Sequence, residues 1–152
     1  MKRRDLIRMS DEEVRAFLGG RHTMNVATIN HDGSIHLVAM WYGFVGDRPA
    51  FWTFGKSQKI RNLERDPRIT CLVEAGEEYE KLEGVELVGR AELVADHDGR
   101  MAIGRSVFER YIGPWSDEMV PYLTQTGAKR VGVVVHVDRV VSWDHAKLQG
   151  GY

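Results

Sequence analysis

Thr23-Met-Asn-Val-Ala-Thr-Ile-Asn-His-Asp-Gly-Ser-Ile-His-Leu-Val-Ala-Met-Trp-Tyr-Gly-Phe-Val45 carries the pattern that decides the fold. Thr23 to Ile29 reads as one strand and Ile35 to Val45 as another, both rich in β-branched and aromatic residues. Asp32-Gly33 between them favours the positive φ of a tight hairpin turn. Outward from this pair, Gly46-Asp47-Arg48-Pro49 makes a second turn and Ala50 to Phe54 a third strand. The spacing predicts an antiparallel meander. On the N-terminal side, Ser10 and Glu13 fit a capping box, and Val14, Phe17 and Leu18 share one helical face before Gly19-Gly20.

Downstream, Ser57 to Arg65 reads as a short helix with Ser57 as N-cap and Asp66-Pro67 as its stop. Arg68 to Glu74 and Gly84 to Val94 are strands, separated by an acidic run with six Glu between Glu74 and Glu86. Asp96 caps a helix to about Tyr111, and Ser116 to Gln125 gives one or two helical turns. Lys129 to Val141 is a long β-branched strand interrupted near Asp138-Arg139, and Ser142 to Tyr152 reads as irregular. The expected fold is mainly β, a single domain over residues 1–152. It is an antiparallel split barrel of about six strands with small flanking helices. Closure or dimerisation would hide its sheet edges.

Composition narrows the function. The 152 residues carry 21 Lys+Arg against 22 Asp+Glu, a net charge of −1, so no global basic field draws nucleic acid. Cys71 is the only cysteine and cannot form an internal disulfide, and the six histidines show no metal-ligating spacing. No apolar run reaches a membrane span or follows the basic start as a signal peptide would, which points to a cytoplasmic protein.

The chemistry concentrates at Phe51-Trp-Thr-Phe-Gly-Lys-Ser-Gln-Lys-Ile-Arg-Asn-Leu63. There a strand runs through glycine into a helix N-terminus, whose free N–H groups and dipole favour phosphate. Thr53, Lys56, Ser57 and Lys59 add two hydroxyls and two cations, the mixed shell that a phosphate needs. The plainer alternative is a capped surface helix with solvated lysines. The second candidate is the strand His36 to Tyr42, where Met40, Trp41 and Tyr42 can line a flat ring or can simply be barrel core.

These segments, with Asn62-Leu63, Asp66-Pro67, the Gly84-to-Glu92 strand and Ser142-Trp-Asp-His-Ala-Lys-Leu148, resemble the pyridoxamine-phosphate-oxidase-like split barrels over residues 12–148. The resemblance implies a homodimer with a cofactor at the subunit interface. It implies a flavin phosphate held at Ser57 and Lys59, with Thr53 and Lys56 near it and Asn62 on the same helix. The flavin then lies against Val38, Ala39, Met40 and Trp41, and Tyr79 reaches the site from the partner. Pyridoxamine oxidases carry Arg and Lys about where this chain has His36 and Trp41, and Trp143-Asp-His145 lacks their arginine. With Asn62-Leu-Glu-Arg-Asp-Pro67, this resembles the branch that uses the deazaflavin coenzyme F420, with FMN as the alternative. The implied function is hydride transfer from reduced F420 to a flat electron-poor molecule such as an enone, quinone or tetrapyrrole-like compound. The other possibilities are an FMN oxidoreductase or a non-catalytic flavin, haem or F420 binder. No dedicated acid stands out, and Tyr42 or a water is the available proton source.

Overall fold

The computed structural model describes residues 1–148. In chain order the elements are α1 (Arg3–Leu6), α2 (Asp11–Gly19), β1 (Met24–Ile29), β2 (Ile35–Met40), β3 (Gly43–Val45), β4 (Arg48–Phe54) and α3 (Gln58–Arg65). They continue with β5 (Arg68–Ala75), β6 (Glu83–Val94), α4 (His97–Tyr111), α5 (Val120–Gly127) and β7 (Arg130–Asp144). Short 3-10 turns lie at Tyr79–Lys81, Asp117–Met119 and His145–Lys147.

Local signals place most of these elements. Ser10 Oγ accepts from Glu13 N and the Glu13 carboxylate accepts from Ser10 N, so the capping box starts α2. Asp96 accepts from Gly99 N and starts α4. In the first hairpin, Asp32 Oδ1 accepts from Ser34 N at 3.0 Å and holds the turn.

The strands form one curled antiparallel sheet in the order β2-β1-β5-β6-β7-β4-β3. This corrects the meander in two ways. The predicted strand Ile35 to Val45 is two strands, which raises the count from about six to seven. The hairpins β1–β2 and β3–β4 then stand at opposite ends of the sheet and do not run on into each other. The break falls at Trp41-Tyr42 because Tyr42 turns fully into the core. Its backbone finds side-chain partners in place of a ladder: Tyr42 N donates to Tyr111 Oη at 3.3 Å, and its carbonyl accepts from Arg110 Nε at 2.9 Å.

Curling brings both ends of the sheet onto one core. Val26 of β1, Phe51 of β4 and Val133 of β7 pack together there with Tyr42, and Val38 and Met40 of β2 lie against them. The interruption near Asp138 is a β-bulge: Val88 faces Arg139 and Gly89 faces Val137, leaving Asp138 as the extra residue. β7 then continues to Asp144, so the stretch from Ser142 is strand and a 3-10 turn where irregular chain is expected. Residues 149–152 of that stretch lie outside the described residues. No helix among the described residues is long and apolar enough to cross a membrane.

A smaller apolar cluster joins α4 and α5 to the outer side of β4 and β7 through Trp52, Ile103, Leu123 and Val134. Trp52 fits only because Gly104 is a glycine. A Cβ there would lie 2.6 Å from Cζ3 and 2.7 Å from Cζ2 of the indole. Gly104→Ala is therefore expected to cost about 1–3 kcal/mol of stability, the scale of core overpacking. Thermal unfolding checks it; an unchanged Tm would show that the ring has room to retreat.

Candidate functional site

The β4-to-α3 corner builds a cationic niche. Strand β4 carries Thr53, Gly55 ends it, and α3 begins after Ser57. Lys59, the second residue of the helix, folds back so that Nζ donates to Thr53 Oγ1 at 3.0 Å. Only 8% of Lys59 is exposed, and among the described residues it has no anionic partner. Burial first, and then the neighbouring Arg130 charge, hold its ammonium below the usual lysine range.

Ser57 has the extended backbone of an N-cap, but its hydroxyl makes no capping bond. Its Oγ is one of two buried side-chain polar atoms without a hydrogen-bond partner among the described residues; the other is His36 Nδ1. His36 lines an open groove with Gln58, the first residue of α3. A buried cation beside a second cation, two residues after an orphaned hydroxyl, is a costly arrangement until an anion completes it.

Beside the niche lies an apolar pocket of about 420 Å³, between the end of β2, Trp52 of β4, and helices α4 and α5. Ala39, Met40 and Trp41 line one side. The Trp41 indole stacks on Tyr111, with centroids 4.7 Å apart and planes 2° from parallel, yet it remains 49% exposed. Arg130 also lines the pocket and links it to the niche, pairing in the ladder with Phe54 and stacking over that ring at 4.7 Å.

The structure therefore brings Thr53, Ser57 and Lys59 together, and separately Ala39, Met40 and Trp41. Val38 packs toward the barrel core, and Lys56 is exposed. Asn62 is fully buried, donating to Thr28 Oγ1 at 3.0 Å and Asn30 Oδ1 at 2.9 Å, and it pins α3 to β1. Tyr79 stands elsewhere, its carbonyl bonded to His145 Nδ1 and its ring edge-on to that imidazole. Tyr42 is a poor proton source: its hydroxyl donates to Leu18 O at 2.6 Å, and burial pushes its pKa up to about 12. The Cys71 thiol is likewise pushed up to about 12 by burial, which suits a core residue and not a nucleophile.

Arg130 and Trp52 are absent from the sequence-derived site. Arg130 follows Lys129 at the start of a strand, where a cation reads as solvated. Only its pairing with Phe54 reveals it.

Residues 10–144 match the model of the family described as pyridoxamine 5'-phosphate oxidase. This chain belongs to that family. Among solved structures, the family fold recurs in a conserved hypothetical protein, Rv2991, from Mycobacterium tuberculosis. It is 42% identical with TM-score 0.94, over 100% of this chain and 96% of that one. An F420 reductase is similar at 25% identity and TM-score 0.65, over 83% of this chain and 94% of its own. The heme storage protein HutZ from Vibrio cholerae shares the fold at 16% identity and TM-score 0.67, over 87% and 94%. No curated protein matches the chain.

Proposed function

We propose that this family member is an oxidoreductase that binds coenzyme F420 and reduces a flat electron-poor molecule. The observation that carries the reading is Lys59: a buried ammonium beside Arg130, without a carboxylate partner among the described residues, two positions after the orphaned Ser57 hydroxyl. A phosphate there would accept from Lys59, Ser57 and the free N–H groups at the start of α3. Thr53 positions the ammonium, and the strand from Val38 to Met40 offers a surface for the ring system, with Trp41 at its end facing the pocket. Reduced F420, when bound, supplies a hydride. The chain's own part is to hold the phosphate and present the ring to the apolar pocket, which stays open to solvent. With the Tyr42 proton committed to Leu18, protonation of product falls to solvent.

FMN is the second reading, favoured by the family match itself, and the niche suits its phosphate equally well. A homodimer fits both. β2 is an unpaired sheet edge on which Ile35 and Leu37 are 60% and 66% exposed, surface that a second copy can cover. Tyr79 would then meet the cofactor from the other subunit. The charge balance and the buried thiol are compatible with a single cytoplasmic domain.

The test is a paired fluorescence titration with F420 and with FMN, alongside sedimentation to count subunits. Micromolar or tighter F420 binding with weaker FMN binding is expected. Preference for FMN moves the protein to the flavin reading, and binding of neither removes the phosphate site. Turnover with reduced cofactor separates an enzyme from a carrier.

A further inference from the structure

Two features of the apolar pocket specify a ligand more closely than flatness. Among its lining residues Arg130 alone is charged. The Arg130 Nε donates to Thr126 O at 3.1 Å at the end of α5, which fixes the plane of the guanidinium while Phe54 supports it from below. Neither Nη has a hydrogen bond or an ion pair to the described residues. A guanidinium held by Nε and by stacking, with both Nη groups unspent, presents a pre-set fork for a carboxylate. Trp41 supplies the other element, since Tyr111 covers one face of its indole and the residue remains half exposed at the pocket.

We propose that this pocket selects planar conjugated molecules bearing a carboxylate, with the ring system against Trp41 and the carboxylate on Arg130. Arg130 is then the specificity-determining residue. The inference rests on the oxidoreductase reading only in calling this ligand the substrate. A cavity of about 420 Å³ suits one compact ring system with its acid group and leaves little space for a long chain.

The experiment is calorimetric titration of the intact protein with 2-naphthoate and with the uncharged 2-naphthamide, alone and with saturating cofactor. Wild type is expected to prefer the carboxylate by about tenfold or more, the scale of a charge-assisted bond. Arg130→Met keeps an apolar stem over Phe54 and should abolish that preference while leaving naphthamide affinity unchanged. Lys59→Met should leave the preference intact, which shows that the carboxylate is not sitting in the phosphate niche.

Equal affinities in wild type, or a preference that survives Arg130→Met, would overturn the proposal. So would a preference lost in Lys59→Met alone. If neither F420 nor FMN binds but the Arg130-dependent preference is present, the oxidoreductase reading fails and the pocket's selectivity stands. Tight cofactor binding without carboxylate preference is the reverse case.

Discussion

Lys59→Met is expected to weaken cofactor binding by about 1.5–3 kcal/mol, roughly tenfold to a hundredfold in Kd, while making the empty protein more stable. Both effects have one cause. The ammonium is buried beside Arg130 and, among the described residues, bonded only to the neutral Thr53 hydroxyl. Without an anion the fold bears the desolvation and repulsion, and methionine of similar length relieves both. With a phosphate present, the same charge becomes the strongest contact in the niche.

The pH dependence carries the same sign. The folded lysine pKa lies below its unfolded value, so above the folded pKa the unfolded chain binds more protons than the native one. Stability of the cofactor-free protein should therefore rise as pH climbs through the folded pKa toward the ordinary lysine range. Lys59→Met should lack that rise. Thermal unfolding across this alkaline window, with cofactor titrations at neutral pH, checks both halves. A variant with unchanged Kd would take Lys59 out of the site.

The second large effect is expected at a residue that touches no ligand. Arg110→Ala should lower stability by about 2–3 kcal/mol, from the loss of charge-assisted bonds to a helix end, and Tm by roughly 4–12 °C. From α4, Arg110 donates to Gly20 O at 2.8 Å, Tyr42 O at 2.9 Å and Gly19 O at 3.2 Å. The first and last of these lie at the C-terminal end of α2, where carbonyls lack intrahelical partners. The guanidinium also lies 4.7 Å over the Tyr42 ring. One side chain thus joins α2, α4 and the break between β2 and β3.

Lysine offers neither the planar fork nor the stacking, so Arg110→Lys should not restore the loss. Tyr111 is the next residue and carries the Trp41 stack, so the variant should also show altered Trp41 fluorescence. Wild-type stability in Arg110→Ala would mean that water replaces the guanidinium at these carbonyls without cost.

Much of the architecture is written locally. Ser10 with Glu13 and Asp96 start their helices through bonds made within three residues. Asp32 closes its own turn, and alternation along β6 marks a strand buried on one side. The cationic corner is legible for the same reason: Thr53, Ser57 and Lys59 fall within one strand-to-helix turn.

What the local pattern could not carry is partnership. Hydrophobic periodicity marks a strand without naming its neighbour, so the two hairpins read as one meander although they close opposite ends of the sheet. The break at Trp41-Tyr42 was hidden inside a continuous apolar run. Its cause is the hydrogen bonding of Tyr42 to Leu18, Arg110 and Tyr111.

The amino-acid sequence by itself determined the mainly β class, the bounds of α2, α3 and α4 to within a residue, and the strand-to-helix corner that carries Thr53, Ser57 and Lys59, because each depends on contacts between near neighbours. Tertiary structure alone decided the strand order, the depth at which Lys59 is buried, and the arrival of Arg130 between niche and pocket. Those depend on which distant segments pack together, and packing sets the desolvation that separates the buried Lys59 from a solvated surface lysine.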